Sequence, residues 1–120
     1  MKNQSFYDRF VFAVRGIKIA WQGEKSFRTQ SIFALGAIAV LVAIRPPALW
    51  WAIFSMVIGL VLGAELFNTA LEHIVDRLHP EVHPAIAKAK DCAAGAVLVF
   101  SLTALGVLAA LLIDTYMAWL

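Results

Sequence analysis

The stretch that most limits how this chain folds is the apolar run from Trp50 to Gly63, with its unbroken polar continuation. The run is greasy enough to lie in a bilayer. It leads directly into Ala64-Glu65-Leu66-Phe67-Asn68-Thr69-Ala70-Leu71-Glu72-His73-Ile74-Val75-Asp76-Arg77. Within that continuation Glu65, Asn68, Glu72 and Asp76 recur at spacings of three, four and four. At about 100° per residue they share an arc of roughly 80° on one helix face. Ionisable groups at the end of a membrane helix are costly and usually functional.

Two further stretches have the same apolar character. Of 120 residues, 62% are hydrophobic and 15% charged, against about 45–50% and about 25% in an average soluble domain. Mean hydropathy is +0.80. The sequence therefore predicts an all-α integral membrane protein, with room for a single membrane-embedded domain over 1–120. One cysteine, Cys92, excludes an internal disulfide and fits no zinc pattern. A net charge of only +2 gives no reason to expect a nucleic-acid partner. Charges at Asp8, Arg9, Arg15, Lys18, Glu24, Lys25 and Arg28 argue against a cleavable signal.

Residues 5–22 read as an amphipathic helix lying in the membrane surface. Phe6, Phe10, Val14, Ile17 and Trp21 share an arc of about 80°, with Asp8, Arg15, Lys18 and Gln22 on the other side. Gly23-Glu24-Lys25-Ser26 breaks the pattern, and Ser26 is expected to cap the next helix. Spans are expected at about 27–44, 48–78 and 85–119. About 20 residues cross a hydrocarbon core, so the first needs Arg28 to snorkel to the headgroups. Arg45-Pro46-Pro47 ends it. The second, near 30 residues, is too long for the hydrocarbon alone and carries its stripe beyond it. Trp50 and Trp51, at the start of the second span, form one aromatic anchor, and Tyr116 and Trp119, near the end of the third, form another. Nine of the ten Lys and Arg lie in the N-terminal segment and the 77–90 region; only Arg45 lies in the other loop. That asymmetry predicts a cytoplasmic N-terminus and an external C-terminus.

Glu24, Glu65, Glu72, Asp76 and Asp91 then gather on one membrane face with Asn68, Lys88, Lys90 and Arg28. Hard oxygen ligands suit Mg²⁺ with substrate phosphates. Lysines suit phosphate charge, and a carboxylate beside them suits a general base. These are the parts of phosphoryl transfer at an interface. Neither GxxxxGK[ST] nor a kinase-type GxGxxG is present. His73, His79 and His83 match no zinc spacing. Two other readings compete: a small proton- or ion-conducting oligomer, and a scaffold packed through small residues such as Ala89, Ala93 and Ala96. A relay would spread its acids through the bilayer depth, whereas these cluster at one face.

The strings Glu65-x-x-Asn68-Thr69-Ala70-x-Glu72-x-x-x-Asp76 and Ala87-Lys88-Ala89-Lys90-Asp91-x-Ala93-Ala94-Gly95-Ala96-Val97 resemble the prokaryotic diacylglycerol kinase family, which includes the undecaprenol kinases. The likeness covers nearly the whole chain. It implies a homotrimeric bundle in the bacterial inner membrane, with active sites shared between subunits, that phosphorylates a lipid alcohol with ATP and Mg²⁺. Carried over by position, Glu65 is implied as the catalytic base. Glu24 and Glu72 are implied as metal ligands. Asn68, Glu72, Asp76, Lys90 and Asp91 are implied around the nucleotide, with Arg15 and Lys18 near its phosphates. Trp21 and Ala94 join Glu65 on the lipid side. The implied product is phosphatidic acid from diacylglycerol. Gln30, which replaces an acid of some diacylglycerol-preferring members, and the His79–Pro84 loop point toward undecaprenol as the alternative.

Overall fold

The computed structural model describes residues 3–120. Four α-helices account for almost all of them: α1 Phe6–Gly23, α2 Lys25–Ile44, α3 Ala48–Leu78 and α4 Pro84–Trp119. The last three are long and apolar enough to cross a membrane. At about 1.5 Å per residue, the 20 residues of α2 just match a hydrocarbon core, while the 31 of α3 and 36 of α4 exceed it.

Helix ends follow local chemistry. Ser5 caps α1, its hydroxyl accepting from the Asp8 amide. The break between α1 and α2 is narrower than the four residues expected. Glu24 alone leaves helical geometry, at φ −119° and ψ 108°. Ser26 lies inside α2 and caps nothing; Glu24 is the N-cap, without a side-chain hydrogen bond. Arg28 has partners that spacing alone does not assign. Its guanidinium donates to the carbonyls of Trp21 (2.8 Å) and Gln22 (3.1 Å), the last turn of α1. Those carbonyls have no partner within their own helix, and a cation is favoured there. Arg28 thus fixes the corner between α1 and α2. At the other end of α2, Arg45 takes the left-handed cap conformation (φ 56°) and its amide returns to Leu41. Pro84 opens α4, and His83 Nδ1 accepts from the Ala85 amide at 3.1 Å, a capping role that spacing alone does not assign to that histidine.

α3 is the hub: it contacts α1, α2 and α4. A small core forms around Leu41, Phe54 and Leu111, with Ala37, Val40, Trp50 and Leu108 against it. It sits toward the Arg45–Pro47 loop, far from the acidic stripe. Along α3 the buried positions are Phe54, Val57, Val61, Glu65 and Thr69, one face at spacings of three and four. A carboxylate therefore occupies a position in a packing ridge. Apolar clefts flank α3. One, of about 420 Å³, runs between α3 and α4 past Gly59, Gly63, Ala93 and Phe100 to Asn68. Another, of about 540 Å³, lies among α2, α3 and α4. There the Gln30 amide donates to Ser101 Oγ at 2.7 Å.

On α1 the face expected to be apolar is open in the single chain. Phe6 is 84% exposed and Trp21 44%, while Ala20 is the one buried residue of that helix.

Candidate active site

Glu65 is 2% exposed. An ionised carboxylate in such a place requires a hydrogen-bonded partner. The Ser26 hydroxyl, 39 residues earlier and in the first turn of α2, donates to Glu65 Oε1 at 2.5 Å. Among the described residues it is the only side chain that hydrogen-bonds this carboxylate. Thr69 below it donates to the Glu65 backbone carbonyl at 2.9 Å, a local bond within the helix.

One turn along, Asn68 donates through its amide to Glu72 Oε1 at 3.3 Å. That bond directs the other end of the amide away from Glu72. Asn68 Oδ1 is buried and has no hydrogen-bond partner among the described residues. Buried acceptors of this kind are uncommon and call for an explanation. Beyond them Asp76 meets Lys90 at 2.6 Å. This pair joins the far end of α3 to the second turn of α4 across the His79–His83 connection. Both partners are more than one-third exposed, so the bond organises the site more than it stabilises the fold.

The other expected site residues lie around this line without joining it. Glu24 is half-buried at the α1–α2 corner. Asp91 and Ala94 are exposed on α4. Lys18 is exposed on α1, and Arg15 lies over the Phe12 ring at 5.3 Å. Trp21 is engaged through its backbone carbonyl by Arg28. Among the described residues no three of His, Cys, Asp and Glu form a metal-holding group. Local spacing gives no sign of Ser26: its signal is a contact between two helices, and its position near the start of α2 suggests a cap instead.

The chemistry available is therefore graded along α3. A buried carboxylate sits where the apolar ridge ends, an amide–carboxylate pair comes next, and an ion pair lies outermost. Residues 11–112 match the prokaryotic diacylglycerol kinase family. The chain belongs to that family. Its relatives include an undecaprenol kinase of Bacillus subtilis, 39% identical over 99 residues, covering 80% of this chain and 78% of that one. A diacylglycerol kinase of Helicobacter pylori strain J99 is 36% identical over 93 residues, covering 78% and 73%. A diacylglycerol kinase of Escherichia coli K12 is 30% identical over 88 residues, covering 73% and 72%. The prokaryotic diacylglycerol kinases are lipid kinases, and the matched span takes in all the graded polar groups of α3 and the start of α4.

Proposed function

We propose that the chain transfers the γ-phosphoryl group of ATP to the hydroxyl of a membrane lipid, with Glu65 as general base. The observation that carries this reading is a carboxylate buried at the end of an apolar helix and already holding a hydroxyl against one of its oxygens. A lipid alcohol reaches that depth from the bilayer, with Trp21 and Ala94 on its side of the site. Glu65 accepts the hydroxyl proton as the lipid oxygen bonds to phosphorus and ADP leaves.

The nucleotide side is assigned to Asn68, Glu72, Asp76, Lys90 and Asp91, with Arg15 and Lys18 near the phosphates. Lys90 gives one donor to Asp76 and has two more for phosphate oxygens. The donor chemistry suits Mg²⁺: the Glu72 carboxylate is a hard oxygen ligand, and Asn68 Oδ1, turned away from it, is a further hard oxygen with no partner among the described residues. Glu72 and Glu24 are the residues that would hold the ion. When bound, Mg²⁺ offsets the charge of the transferring phosphate.

The setting belongs to the same reading. α1 lies in the membrane surface, and the cluster faces the cytoplasm of a bacterial inner membrane. Three copies assemble with sites shared between neighbours. Diacylglycerol is the first acceptor proposed. Undecaprenol is the second, favoured by the similarity to the Bacillus subtilis undecaprenol kinase and by Gln30 bonded to Ser101 within the apolar cleft. A radiolabelled-ATP assay in mixed micelles, offering both lipids separately, decides between them. The expected result is Mg²⁺-dependent transfer to one lipid in preference to the other. Absence of transfer to either would sink the kinase reading.

A further inference from the structure

The Ser26 hydroxyl is the one described group that fixes the Glu65 carboxylate. We propose that Ser26 is a positioning residue for the base, holding Oε1 so that Oε2 is presented to the lipid hydroxyl. The proposal rests on the reading of Glu65 as the base.

A glutamate side chain has three rotatable torsions and loses considerable freedom when fixed. Neither the Phe54–Val61 ridge before it nor the Thr69 hydroxyl, which bonds the backbone, constrains the carboxylate oxygens. The contact at 2.5 Å does. An ionised carboxylate offers about four acceptor directions on two oxygens, so a donor on Oε1 leaves Oε2 able to take the substrate proton. The single-residue break at Glu24 brings the first turn of α2 against α3, and the Arg28 clamp on the Trp21 and Gln22 carbonyls fixes that corner. Ser26 therefore arrives at Glu65 on a braced helix start. A hydroxyl held by its own helix does not compete as a free water would.

The test compares wild type, Ser26→Ala and Ser26→Thr at saturating ATP with varied lipid, using whichever of the two lipids the wild type phosphorylates. Misplacing a base in an otherwise intact site lowers turnover more than binding. Ser26→Ala is expected to lower kcat about tenfold while KM for lipid and for ATP stays within about twofold. Ser26→Thr, which keeps the hydroxyl, should recover most of the lost kcat. Thermal unfolding of the variants in detergent is expected to remain near wild type. Three outcomes would overturn the proposal: wild-type kcat in Ser26→Ala, a loss confined to KM, or a Ser26→Thr enzyme as slow as Ser26→Ala. If wild type itself transfers nothing to any lipid, it is the kinase reading that fails, a result separable from all three.

Discussion

Glu65 and Glu72 are the same residue type on the same helix, two turns apart, and their surroundings give them different work. Glu65 is enclosed by α2 and the buried ridge and meets a hydroxyl. Glu72 is half-buried and meets an amide. Substituting Glu65→Gln keeps the shape and removes the carboxylate proposed as the base. It is expected to leave nucleotide binding intact and to lower lipid phosphorylation by at least about a hundredfold; equilibrium binding of a non-hydrolysable ATP analogue beside the turnover assay separates the two. Asn68 makes a sharper case. Its Oδ1 is buried without a partner among the described residues, and leaving such a group unmatched is costly. Asn68→Ala should raise the Mg²⁺ concentration needed for half-maximal activity about tenfold if that oxygen faces the ion or its water shell; an unchanged Mg²⁺ dependence would remove it from the metal side. The stripe itself is legible from spacing, because four residues at three, four and four can share one helix face whatever the fold. Ser26 is not, because its meaning depends on a helix 39 residues away. The partners of Arg28 are hidden for the same reason: they are the open carbonyls of the preceding helix end, which only the folded corner brings within reach.

The elements divide the labour along their length. α3 is apolar and packed where it meets Leu41 and Leu111, and polar where it outruns α2. Removing packing at the first end and charge at the second should have separable effects. Leu111 is fully buried, and in a bilayer such a residue contributes through close packing rather than water exclusion. Leu111→Ala is expected to destabilise by about 1–3 kcal/mol, seen as a lower melting temperature in detergent with kcat little changed at permissive temperature. Asp76→Asn should do the opposite. The exposed Asp76–Lys90 pair contributes little to stability, so melting should hardly move, while KM for ATP rises as Lys90 loses its anchor. Helix limits are readable to within about a residue or two because Pro46, Pro47 and Pro84 punctuate the chain. The α1–α2 junction is less so: a one-residue break at Glu24 carries no proline or glycine signal of its own, and Gly23 remains helical.

For the whole molecule, the placement of charge predicts an orientation that the chain's one thiol can report. Cys92 is exposed, immediately after Asp91, on the part of α4 next to the basic 77–90 region. If that region faces the cytoplasm, a membrane-impermeant maleimide should label Cys92 in inverted inner-membrane vesicles and leave it unlabelled in intact spheroplasts. No engineered cysteine is needed, so the assay uses the natural chain. The same thiol lies one residue from a group assigned to the nucleotide, so MgATP should slow the labelling in inverted vesicles, and should do so less in Asp76→Asn. Labelling from the outer side would reverse the topology and remove cytoplasmic ATP from reach of Lys90 and Asp91. Labelling from the inside without protection by nucleotide would keep the topology and move the nucleotide away from the start of α4.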